Sequence, residues 1–248
     1  MLPAQRVRRR TRSSRIRDRN ARTAARPACL ALFCACLAWS GDPDAAQWAS
    51  HYPAASGVSI AYSVQALPDG AFVGAGAYSL AGDQYAWAFK VDRDGQVAWQ
   101  RAFGYGNQFD HMLSSVQPTP DGGYVAAGWI DKAQGGRDAW VLKLDAMGGI
   151  VWQKTYGGTG ANAFNSIRPT SDGGFVAAGY TVLSVEWIVK LDGAGNIAWQ
   201  RAYTRPFFHQ ANDIVQTMDG GYVVAGRRVA SSTSADWDAS LLKLDASG

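Results

Sequence analysis

The chain has 248 residues, 47% of them apolar, with three cysteines and a formal charge of +4. That charge is unevenly spread: residues 1–26 carry ten arginines against one aspartate (net +9), leaving 14 basic against 19 acidic side chains (net −5) in the remainder. A net-acidic body offers no basic face for nucleic acid, and with Cys29, Cys34 and Cys36 all near the start it lacks a disulfide framework, a thiolate zinc site and a cysteine nucleophile.

After the arginines comes the apolar run Ala28–Trp39. It is shorter than the roughly 20 residues a bilayer span needs and has the length of a signal-peptide core. Small residues at Ala38 and Ser40 place cleavage after Ser40. Lipid attachment at Cys36 is the lesser alternative, because Phe33 stands where a lipobox takes Leu. The expected organisation is a leader over residues 1–40, a linker over 41–47 and a folded domain over 48–248. The protein is expected to be exported, with no membrane span in the mature chain.

From Trp48 onward one sentence is written four times. Its anchors are Asp69-Gly-Ala-Phe-Val-Gly-Ala-Gly76, Asp121-Gly-Gly-Tyr-Val-Ala-Ala-Gly128, Asp172-Gly-Gly-Phe-Val-Ala-Ala-Gly179 and Asp219-Gly-Gly-Tyr-Val-Val-Ala-Gly226, spaced 52, 51 and 47 residues apart. A period near 50 built of short strands and glycine turns predicts an all-β propeller of four-stranded antiparallel blades. In the third copy the first strand, Asn165–Thr170, closes on the turn Ser171–Gly174, and Phe175–Tyr180 forms the second. Trp187–Asp192 is the third, and Asn196–Tyr203 follows a Gly-Ala-Gly turn as the fourth. The small residues of the second strands, such as Gly74, Gly76, Ala126 and Gly128, suit the crowded inner end of a tapering blade. Trp48, Trp99, Trp152 and Trp199 suit wedges between neighbouring blades. The body starts with a fourth-type strand (Trp48–Tyr52) and stops after a third-type one (Leu241–Asp245). An open arc, or part of a larger ring, is favoured over a closed ring of four.

The runs Lys143–Gln153 and Lys190–Gln200, both Lys-Leu-Asp-x-x-Gly-x-Ile-x-Trp-Gln, carry a resemblance. With the Asp-Gly-Gly anchors, they make the chain similar to exported bacterial β-propeller repeat proteins of the pyrroloquinoline-quinone-like (quinoprotein-dehydrogenase-like) superfamily. The resemblance implies the fold and little about activity. Cofactor enzymes of that superfamily use an adjacent cysteine pair and acidic calcium ligands; the body has no cysteine, so no cofactor is expected.

Candidate sites are few. Asp69, Asp121, Asp172 and Asp219 each precede a turn glycine, which accounts for them without catalysis. Catalytic carboxylates work as pairs in unlike environments, whereas these are equivalent copies. The strand pairs Lys90/Asp92, Lys143/Asp145, Lys190/Asp192 and Lys243/Asp245 read as ion pairs at i, i+2. Asp92-Arg-Asp94-Gly95 reads as a hairpin turn, since it lacks the remaining ligands of a calcium loop. His51, His111 and His209 lack metal-ligand spacing. The segments after the second strands (77–83, 129–138, 180–185 and 227–236) vary while the strands do not, and such loops are where a rigid scaffold carries recognition. Trp129, Tyr180, Arg227 and Arg228 are the candidate contacts there, for an unknown protein or glycan. The expected function is non-catalytic binding or surface scaffolding; the alternative is a carbohydrate-active hydrolase or a fragment of a quinoprotein-like enzyme.

Overall fold

Fifteen antiparallel strands in four sheets occupy the folded part, in a computed structural model that describes residues 58–80, 82–104, 110–182, 185–204, 209–229 and 236–248. The segments expected as leader and linker, and the expected Trp48–Tyr52 strand, lie outside the described residues. Each sheet is one repeat with its strands in sequence order. The first blade contains β1 (Ser59–Ala66), β2 (Phe72–Leu80), β3 (Asp83–Val91) and β4 (Val97–Phe103). The second contains β5 (His111–Pro118), β6 (Tyr124–Asp131), β7 (Arg137–Leu144) and β8 (Ile150–Tyr156). The third contains β9 (Ala163–Pro169), β10 (Phe175–Thr181), β11 (Val185–Leu191) and β12 (Ile197–Tyr203). The fourth has three described strands, β13 (His209–Gln216), β14 (Tyr222–Val229) and β15 (Trp237–Leu244). No helix among the described residues is long and apolar enough to cross a membrane.

The turn glycines behave as their position demands. Gly122 takes φ +80° and donates to the Thr119 carbonyl at 3.0 Å, a backbone state that costs other residues about 1–2 kcal/mol. The glycine that ends each anchor answers to a different constraint. First strands touch first strands in series, β1 on β5, β5 on β9 and β9 on β13, so they, rather than the second strands, are innermost. The taper therefore does not explain Gly128. It faces a β-bulge between Leu113 and Ser115, and a Cβ there would lie 1.9 Å from the Met112 carbonyl oxygen. Gly76, Gly179 and Gly226 meet the carbonyls of Ile60, Ala163 and Gln210 in the same way.

Three apolar layers lie between successive blades. Ala86, Trp99, Trp140 and Leu142 share the first, Ala139, Phe164, Trp187 and Val189 the second, and Ile188, Ala211, Tyr222 and Val224 the third. Equivalent positions show where the series stops. Ala88, Val141 and Ile188 are fully buried on the face turned to the next blade, whereas Leu241 on the fourth blade is 79% exposed. At the other end Val64 of the first blade is 62% exposed, while Val116 and Ile167 are fully buried. Among the described residues the four blades form an open series.

Candidate binding rim

Each blade has a turn end, carrying Asp-Gly-Gly or, in the first blade, Asp69-Gly-Ala, and an opposite rim where second strands pass into third strands. At the turn end the lysines choose other partners than the expected i, i+2 aspartates. Lys143 Nζ lies 2.8 Å from Asp121 Oδ2 and donates to the Leu144 carbonyl at 3.2 Å. Lys190 repeats this with Asp172 (2.8 Å) and Leu191 (3.0 Å), and Lys243 with Asp219 (2.8 Å) and Leu244 (3.3 Å). Lys90 reaches Asp69 at 3.2 Å. A strand-face argument fails here because the hairpin folds the turn aspartate back over the lysine. The aspartates at i+2 serve the next turn instead: Asp145 Oδ1 accepts from the amides of Met147 and Gly149, both at 2.8 Å. Asp92 does the same for Asp94 and Gln96, as a hairpin turn requires.

In the last three blades the second glycine of the anchor makes this seat. A Cβ on Gly123 would lie 2.2 Å from the Leu144 carbonyl oxygen and 2.8 Å from Lys143 Nζ. The lysine, then Thr119 and the Gly123 amide, hold Asp121 down at about 2 against burial. At Asp172 burial pushes the other way, but Lys190, Thr170 and Gly174 prevail and hold it at about 2. Lys243 first, then Thr217, pull Asp219 far below the carboxylate range, and the Ala71 amide and Lys90 lower Asp69. All four carboxylates are held ionised by the same kind of contact, an arrangement that stores no proton for acid catalysis at neutral pH.

The tryptophans of the fourth strands reach the following blade. Trp99 lies 5.7 Å from Tyr124 and donates its indole N–H to the Ala146 carbonyl at 3.0 Å. Trp152 lies 6.0 Å from Phe175, and Trp199 lies 5.7 Å from Tyr222. The aromatic four residues on extends the contact: Tyr156 Oη donates to the Gly195 carbonyl at 2.7 Å, and burial pushes its phenol well up.

At the rim, the segments expected as loops are shorter than their sequence variation suggests, because the strands run on. Trp129, Tyr180, Arg227 and Arg228 all lie within β6, β10 or β14. Trp129 is buried beneath Arg137, whose guanidinium carbon sits 3.8 Å from the ring centroid and whose Nε is 3.7 Å from Asp131. Tyr180 is half-buried on the third blade. Arg227 donates to Gln210 Oε1 at 2.7 and 3.0 Å and covers the Trp237 ring at 4.3 Å. Arg228 stands 3.8 Å from Asp238. The fourth blade thus carries Arg227 with Trp237 on one face and Arg228 with Asp238 on the other, while Trp129 and Tyr180 sit on separate blades.

The sequence-based choice missed Glu186 and His209, which line a cavity with Arg228 between the third and fourth blades. Their signal lay in comparing repeats. The register makes Glu186 the equivalent of Ala86, Ala139 and Ala239, and Ser240 the equivalent of Trp87, Trp140 and Trp187. Among the described residues no group of three or more His, Cys, Asp or Glu is placed to hold a metal.

No protein-family model matches the chain, and no curated protein does. Among solved structures it is similar to a Bacteroides caccae protein of unknown function, with 15% identity and a TM-score of 0.47, covering 76% of this chain and 61% of that one. A Bifidobacterium bifidum s17 protein provisionally named an exo-beta-1,3-galactanase gives 12% identity and a TM-score of 0.47, covering 75% and 68%. Sqt1 from Chaetomium thermophilum gives 12% and 0.40, covering 67% and 41%. The chain spans about three-fifths of the Bacteroides caccae protein's length. At these TM-scores the likenesses carry no argument, and the fold rests on the strands themselves.

Proposed function

We propose that this chain is an exported binding protein, related to the quinoprotein-like repeat propellers, that captures a protein or glycan at its rim without catalysis. The observation that carries the reading is the contrast between the two ends. The turn end repeats the same aspartate–lysine seat in every blade, whereas the rim presents different side chains in each, with the two arginines, Trp237 and Asp238 on the fourth. Recognition on a constant scaffold is carried by the part that changes.

The test is to expose the full chain to glycan and protein arrays and to a polysaccharide panel. Capture without release of reducing sugar is expected. Turnover that survives repurification and disappears on changing a single carboxylate would overturn the reading in favour of a hydrolase. For export, N-terminal sequencing of secreted material should begin between Gly41 and Trp48; an intact arginine-rich start, or a lipid on Cys36, would contradict soluble export.

A further inference from the structure

The layer between the third and fourth blades departs from the other two at matched positions. In the first layer Ala86 shares the core with Trp140, and in the second Ala139 shares it with Trp187, small residue with large. In the third layer the same two positions are Glu186 and Ser240. Exchanging an indole for a hydroxymethyl group removes more volume than exchanging a methyl for a carboxyethyl group adds. The result is a cavity of about 260 Å³ lined by Glu186, His209, Arg228, Ala239, Ser240 and Leu242, among others. The imidazole of His209 has a counterpart in His111, edge-on to Trp140 in the first layer, but the carboxylate of Glu186, 6% exposed, is a polar group that the matched alanines lack. Burying such a group is costly unless its polar atoms are satisfied, so the site is built around polar contacts.

We propose that this cavity binds one neutral sugar ring, a refinement that rests on the binding function proposed above. Three features select that chemistry. The volume lies just under the range of about 300–1,000 Å³ usual for small-molecule sites, giving room for one six-membered ring. Glu186 and Asp238 together outweigh the single guanidinium of Arg228, which stands 3.8 Å from Asp238, so an anionic ligand would find no net counter-charge. Hydroxyl groups both donate and accept, which matches a lining of carboxylate acceptor, guanidinium donor, imidazole and hydroxyl. Leu242, which packs on the layer between the two blades, supplies aliphatic surface for the C–H face of the ring.

The repeat provides test variants that restore residues used elsewhere in the fold. Ser240→Trp fills the cavity with the side chain of the other blades, and Glu186→Ala removes the carboxylate. The full chain would be titrated by calorimetry and ligand-observed NMR with glucose, galactose, mannose and N-acetylglucosamine, with glutamate and inorganic phosphate as charged probes. At least one sugar should bind with a Kd of about 1 mM or tighter. Each variant should weaken it at least tenfold without lowering the denaturant midpoint. Unchanged affinity in Ser240→Trp, binding of the charged probes alone, or no binding by any of the four sugars would overturn the proposal. Array capture that persists in Ser240→Trp would sink the cavity while leaving rim binding intact; absence of any array capture would remove the binding function itself.

Discussion

Removing the turn aspartate should cost most where its lysine is most deeply buried. Asp121→Ala, Asp172→Ala and Asp219→Ala form a controlled series because each deletes the same turn contacts. These are a backbone amide bond (from Gly123, Gly174 or Gly221 at 3.0–3.1 Å) and a threonine hydroxyl bond (from Thr119, Thr170 or Thr217). Each also deletes an ion pair of 2.8 Å. The lysine side chains differ in exposure, at 8% for Lys143, 6% for Lys190 and 49% for Lys243. Stripping the partner from a buried charge costs about 3–5 kcal/mol. Here the carboxylates are 62% and 61% exposed at Asp121 and Asp172, so water can partly replace them. That discount brings the expected cost to about 2–3 kcal/mol for Asp121→Ala and Asp172→Ala. Asp219→Ala should be clearly milder, since water already reaches Lys243. Lys143→Met added to Asp121→Ala should recover much of the loss, because the uncompensated charge is gone. Urea titration followed by tryptophan fluorescence reads all four. Equal midpoints across the three alanine variants, or Asp219→Ala as the most damaging, would refute the burial argument.

The same carboxylates set an acid limit. Asp121 and Asp172, held at about 2 against an ordinary value of 3.8, contribute stability that is complete above about pH 4 and is lost as pH falls through 2; a melting-temperature profile flat across that window would contradict it. Gly128→Ala drives a Cβ to 1.9 Å from a backbone carbonyl and should destabilise by well over 2 kcal/mol. Gly122→Ala, with φ +80° and nothing within 4 Å, should cost only about 1–2 kcal/mol, and a reversed order in thermal melts would remove the bulge explanation. Trp152→Ala and Trp199→Ala should each cost about 3 kcal/mol, the low end for a large aromatic because both are only partly buried; near-neutral urea midpoints would mean these rings do not hold blades together.

The strands were legible because their signals are local. The Asp-Gly-Gly turns, the apolar second strands and the Gly-containing turn before each fourth strand all lie within a few residues of what they specify. What depends on folding back was read less well. The partner of Lys143 is Asp121, 22 residues away, and spacing along one strand points to Asp145 instead. Gly128 looked like a response to taper, although its constraint is the Met112 carbonyl on the neighbouring strand. Trp129 read as loop, yet pairing of Asp131 with Arg137 prolongs the hairpin and lays the guanidinium over the indole. The Glu186–Ser240 exchange was visible in the repeats, but seeing that the two positions face each other requires knowing which face of each blade meets the next.

Rim recognition is tested most directly by comparing two double variants of the full chain on the array that first yields a ligand. Tyr180→Ala/Arg227→Ala alters the rim, whereas Met147→Ala/Met218→Ala alters exposed apolar side chains at the turn end. A loss of at least tenfold in the rim variant, with the turn-end variant unchanged, is the predicted result. Binding that survives at the rim and falls with the methionines would place recognition at the wrong end of the blades and contradict the account.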